Sequence, residues 1–123
     1  MEHPVLTKVF YNSACPVCDA GIAAQKEKMN GCDVEWIDIH KNPVAVLELG
    51  ADIESVRERL HVKNADGHVS IGASALAALW AKTPSQRIWA KLFHLPIVRH
   101  IAGCLYNLFA RALYKWNRWR EHW

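Results

Sequence analysis

The chain has 123 residues, of which 51% are hydrophobic and 22% charged. That is one domain's length with enough apolar residues for a core, and it excludes a disordered chain. Four cysteines are too few for a disulfide-stapled scaffold, and the net charge of +3 hides a division. Residues 1–86 hold eight Lys or Arg against eleven acids, whereas residues 87–123 hold seven against one, Glu121. Such a basic end reads either as a solvated helix face or as a surface for an anionic partner.

Leu6 to Tyr11 is short, β-branched and aromatic, and is predicted as a buried strand. From Pro16 the pattern turns helical, with Val17, Ala20, Ala24 and Lys28 on one spacing and Asn30-Gly31 as the stop. Pro16 suits a first helical turn, where no N–H is needed. Val34 to Ile39 is predicted as a second strand, completing a parallel, right-handed βαβ unit. A short helix follows from Pro43 to Leu49, closed by Gly50, and Asp52 caps another over Ile53 to Leu60. Leu60–Lys63 and His68–Ile71 flank Asn64-Ala65-Asp66-Gly67, a hairpin signal because glycine supplies a positive φ. Ala73 to Lys82 is a helix, broken at Thr83-Pro84-Ser85. Gln86 to His94 is a further helical segment. From Pro96, Ile97, Ile101, Cys104/Leu105, Leu108/Phe109 and Ala112/Leu113 fall on one stripe. The order predicts an α/β, thioredoxin-like domain. A small four-stranded mixed sheet, made of a βαβ unit and a hairpin, is flanked by helices. One domain over 1–123 is expected, with a core of about 5–83 and a helical extension of about 84–123.

Cys15-Pro16-Val17-Cys18 lies where the first strand meets the first helix. The unpaired N–H groups and positive dipole end of a helix start favour a thiolate over a thiol. Three residues on, Cys18 stands one turn away on the same side. The spacing suits exchange in which Cys15 attacks a disulfide and Cys18 resolves the mixed disulfide. Three other readings compete: half a zinc site, a structural disulfide, and an inert buried pair. Cys32 and His40 do not supply the second ligand pair that zinc needs. A reducing cytosol opposes the structural disulfide, and the helix start opposes the inert pair. Cys32 reads as a loop thiol and Cys104 as a packed small hydrophobe. His61 and His68 are candidates to face each other across the hairpin. Trp80 and Trp89 fit core-facing helix positions. Trp116 and Trp119 share a helical face that folds back, meets a second chain or sits at a membrane interface.

Phe10-Tyr11-Asn12 followed by Cys15-Pro16-x-Cys18 resembles the opening of the DCC family (DUF393) of thiol-disulfide oxidoreductases. The run Arg59-Leu60-His61-Val62, Ala65-Asp66-Gly67, Val69 and Gly72-Ala73-x-Ala75 is similar to it too. So are Leu95 to Arg99 and Leu105 to Arg111. The resemblance spans about residues 5–116. It implies a thioredoxin-like fold and a dithiol–disulfide function, with Cys15 and Cys18 catalytic. The family motif has Asp where this chain has Asn12, which hydrogen-bonds but does not titrate; a turn role and a tuning role stand side by side. No proline precedes Leu60, where thioredoxins place one facing the two cysteines.

The expected partners are a protein or small-molecule disulfide and a reductant. No cofactor, metal or nucleic acid is expected. Met1-Glu2-His3-Pro4 has neither a basic nor an apolar leader region, so a cytoplasmic location is expected. The alternative function is a membrane-surface or partner-binding module acting through the basic, Trp-rich residues 96–123, with the two cysteines incidental.

Overall fold

A computed structural model describes residues 7–29 and 34–122. The elements run in chain order as β1 (Thr7–Tyr11), α1 (Pro16–Lys28), β2 (Val34–Asp38), a 3₁₀ helix (Pro43–Leu49) and α2 (Ile53–Glu58). Then come β3 (His61–Lys63), β4 (Val69–Ile71), α3 (Ala73–Lys82), α4 (Arg87–Phe93) and α5 (Pro96–Trp119). The sheet order is β2-β1-β3-β4, with β1 parallel to β2 and the remaining pairs antiparallel. This is the mixed four-stranded sheet expected of a thioredoxin-like α/β fold.

Successive residues of a strand face opposite sides of the sheet, so β1 feeds two cores. Val9 joins Ile22, Met29, Val62, Ala75 and Leu79, which seats α1 and α3 on one face. Phe10 joins Ile39, Val46 and Val56 on the other, beneath the 3₁₀ helix and α2. The local signals act where expected. Gly50 ends the 3₁₀ helix at φ +64°, and Asp52 accepts from the Glu54 N–H at 3.3 Å. Gly72 has two reasons to be glycine: its φ is +70°, and a Cβ there would stand 3.3 Å from the Tyr106 ring of α5.

Three expectations, on the histidine pair, Trp89 and Cys104, need correction. His61 and His68 do not face each other; His61 pairs with Ile71 and is buried, its Nδ1 against the Arg59 carbonyl at 2.9 Å. Trp89 and Cys104 are exposed rather than packed. Of the three fates left open for the Trp116 and Trp119 face, Trp119 does not take the fold-back: it is 75% exposed. Much of the apolar stripe of α5 also points outward, with Ile97, Ile101, Leu105 and Leu108 all exposed, while Leu113 turns inward. The face that packs is offset by about a third of a turn and carries Tyr106, Ala110, Leu113 and Asn117. Hydrophobic spacing alone identified an apolar face but not its partner. The expected stop at Asn30-Gly31, Cys32 and Trp123 lie outside the described residues.

Candidate active site

Chain direction reverses between β1 and α1 over Asn12, Ser13 and Ala14. The Asn12 Oδ1 accepts from the Ala14 N–H at 3.1 Å, and the Cys15 N–H reaches the Asn12 carbonyl at 3.3 Å. Asp38, at the end of β2, accepts from the Ser13 N–H at 3.1 Å and from the His40 N–H at 3.0 Å. Burial works against the Asp38 charge. Even so, the Ser13 and His40 donors and nearby Lys41 hold its carboxyl below its usual value. A turn with its N–H groups paired in this way fixes where α1 begins.

It begins at Cys15. Its φ of −82° and ψ of 113° are those of an N-cap, and its Sγ takes the place of the usual cap oxygen by accepting from the Cys18 N–H at 3.2 Å. Pro16 occupies the first helical position. The Cys15 thiol is pulled down to about 6. The Cys18 thiol, donating to Cys15, is the largest cause; burial opposes the shift. Backbone N–H groups of Cys18 and Val17 and a side-chain hydrogen bond from Asn117 add to it. Cys18 is pushed the other way, first by the same hydrogen bond to Cys15, then by burial and by the neighbouring thiolate. The pair therefore holds one proton over the physiological range, on Cys18, and one negative charge on Cys15. Both thiols are free.

Asn117 is the residue that local sequence reasoning missed. It lies about a hundred positions from Cys15, in the last turn of α5, and is 1% exposed. Its geometry follows from how α5 ends. Glu121 adopts φ +55°, the His122 N–H returns to the Asn117 carbonyl at 3.1 Å and the Glu121 N–H to that of Arg118 at 3.1 Å. That paired closure turns the chain back over its own last turn. His122 thereby sits edge-on to Trp116, ring centroids 5.0 Å apart, and its Nδ1 meets the Asn117 Oδ1 at 2.6 Å. With the amide oxygen held by His122, the amide NH₂ is the end left to serve Cys15. The cost is a left-handed glutamate, about 1–2 kcal/mol for a residue with a Cβ.

Helix α5 is tied down along its length. The Leu60 N–H donates to the Tyr106 hydroxyl at 3.0 Å, and the Tyr114 hydroxyl donates to Glu54 of α2. Arg118 adds an ion pair to Glu54 at 3.9 Å. As a result Cys15 is fully covered, while Cys18 is only half-buried. Among the described residues no group of three or more His, Cys, Asp or Glu is placed to hold a metal ion.

The model of the DCC1-like thiol-disulfide oxidoreductase family matches residues 9–119, nearly the whole chain. The chain belongs to that family, and it carries a pair of neighbouring cysteines at the head of α1. No match was found among curated proteins, and none among solved structures.

Proposed function

We propose that the protein is a dithiol–disulfide oxidoreductase in which Cys15 attacks a substrate disulfide and Cys18 resolves the mixed disulfide. The observation that carries this reading is the unequal pair: a Cys15 thiol drawn down to about 6, hydrogen-bonded to a Cys18 thiol that keeps its proton. A thiolate at neutral pH is the attacking species, and a proton-bearing neighbour supplies the leaving sulfur. Asn12 and Pro16 serve as supports, Asn12 by shaping the turn and Pro16 by starting the helix.

Reduction of insulin and of a small model disulfide tests this. Cys15→Ser abolishes both activities, and Cys18→Ser accumulates mixed disulfides that a thiol reductant releases. Equal rates for the wild type and Cys15→Ser would end the proposal.

A second reading rests on a separate observation and is compatible with the first. The outward face of α5 exposes Ile97, Ile101, Leu105, Leu108 and Trp119, flanked by Arg111, Lys115 and Arg118. An apolar ridge edged by cations fits a peripheral contact with an anionic lipid surface. No helix among the described residues is long and apolar enough to cross a membrane.

A further inference from the structure

Cys15 is wholly covered, yet Cys18 forms part of the wall of a cavity of about 290 Å³ between α1, α3 and α5. Its wall is mostly apolar: Ile22, Leu60, Leu76, Leu79, Phe109 and Leu113. A volume near the lower end of ordinary ligand pockets, about 300 Å³, suits a small molecule. Two polar residues on the same wall are unfinished. The Asn12 Nδ2 is buried without an acceptor, in a side chain only 3% exposed, and the Arg59 Nε is buried without one. A buried donor left unpaired costs about 1–3 kcal/mol, which a ligand acceptor recovers. Glu58 lines the cavity too and sits 3.6 Å from the Arg59 guanidinium, so a neutral acceptor fits there better than a carboxylate.

We infer that this cavity is the substrate site, and that it takes a small apolar disulfide carrying a neutral carbonyl that accepts from Asn12 and Arg59. The inference rests on the dithiol reading and adds the class of substrate. It also gives a role to the asparagine that replaces the family's acid, since a carboxylate at position 12 has no N–H to offer.

The step balances without a further reactant. The ligand disulfide lies against Cys18, whose thiol is hydrogen-bonded to Cys15. When the last turn of α5 opens, the Cys15 thiolate is uncovered and attacks the nearer ligand sulfur, the ligand S–S bond breaks, and the far sulfur leaves with the Cys18 proton. The Cys18 thiolate then attacks the Cys15 sulfur of the mixed disulfide. A Cys15–Cys18 disulfide forms, and the second ligand sulfur departs as a thiolate and takes a proton from water. Two electrons pass from protein to ligand.

Lipoamide, a strained cyclic disulfide on a short aliphatic amide, is the probe. Pre-reduced protein is mixed with lipoamide, lipoate or glutathione disulfide, and single-turnover rates are followed against concentration. Lipoamide is expected to react at least tenfold faster than glutathione disulfide at equal concentration, and faster than lipoate. Leu76→Phe, which fills the cavity, and Arg59→Leu each raise the half-saturating lipoamide concentration about tenfold. Both variants are expected to melt cooperatively and to keep the pH at which Cys15 ionises, which shows that the fold and the thiol pair are intact. Lipoamide reacting no faster than glutathione disulfide, lipoate reacting faster than lipoamide, or Leu76→Phe leaving lipoamide kinetics unchanged would overturn the inference while leaving the dithiol reading standing. Reaction with none of the three disulfides would instead overturn the dithiol reading.

Discussion

Replacing Asn117 by alanine removes one donor from the Cys15 sulfur without touching α1. A hydrogen bond to a charged group contributes about 1.5–3 kcal/mol, so the Cys15 ionisation is expected to rise by about one pH unit. The ultraviolet absorbance of the thiolate against pH reads this directly; an unchanged titration would exclude Asn117 from the site. His122→Ala frees the amide and is expected to move the titration in the same direction by less. The pair also makes the stability of the reduced protein depend on pH, and the sign can be worked out. Below about 6 both thiols are protonated folded and unfolded, and the pair contributes nothing. Between about 6 and the ordinary thiol value of 9.0, the folded state has released one proton and the unfolded state none, so stability rises with pH. Above it, the unfolded chain releases both while Cys18 keeps its own, and stability falls again. Urea unfolding of reduced wild type, compared with the Cys15→Ser Cys18→Ser double variant, is expected to differ most near pH 9. A difference that stays flat from pH 5 to 9 would contradict the pairing. At this scale the sequence displayed half the candidate site. Cys15 and Cys18 were legible because a helix start acts over three residues. Asn117 was not, since nothing local shows which face of a distant helix meets Cys15.

The elements were read well where a local device ends them, and poorly where tertiary contact decides. Gly50, Asp52, the Asp66-Gly67 turn and Pro96 each mark a boundary by backbone chemistry that neighbours do not alter. His61 and His68 were misjudged because register depends on the whole hairpin; the Asn64 N–H meets the His68 carbonyl at 2.8 Å, and His61 falls opposite Ile71. Helix α5 is the clearest case, since contacts to Glu54 of α2 hold its last turns. Tyr114 supplies the anchor, and burial adds to the Glu54 carboxylate in raising its hydroxyl's ionisation. Glu54 itself is held below its usual value, chiefly by Tyr114, with Arg57 and Arg118 assisting against burial. Tyr114→Phe removes the anchor but keeps the ring. For a partly exposed group this costs about 1 kcal/mol, or about fivefold in the opening of the last turns. The expected outcome is faster alkylation of Cys15 by iodoacetamide at pH 8, by about that factor, with little change in global melting. Unchanged alkylation would mean that the cover over Cys15 does not depend on this contact.

Over the whole molecule, charge and exposed apolar surface coincide. The terminal third that carries a net +6 is also the part that leaves Ile88, Trp89, Leu95, Ile97, Ile101, Leu105, Leu108 and Trp119 in contact with water. Exposed apolar side chains in this number beside such charge are what a surface that meets a partner presents. The sequence located the charge correctly, but it misled about the apolar residues, whose spacing is that of any core helix. An anionic bilayer satisfies both features. Near such a surface each cation contributes about 1 kcal/mol, and each large aliphatic side chain that enters the interface about 1.5–3 kcal/mol at most. The protein is expected to cosediment with vesicles containing phosphatidylserine at low salt and much less with phosphatidylcholine alone. Raising the salt weakens the electrostatic part, because the screening length shortens. Ile101→Glu with Leu105→Glu is expected to lower the affinity at least tenfold and leave disulfide reduction intact, since both side chains are exposed and neither lines the cavity beside Cys18. Absence of binding to anionic vesicles at low salt would remove the lipid reading and leave the thiol chemistry untouched. Binding by the wild type and not by this double variant would place a redox-active pair at a membrane surface, with its cavity on the opposite side of α5.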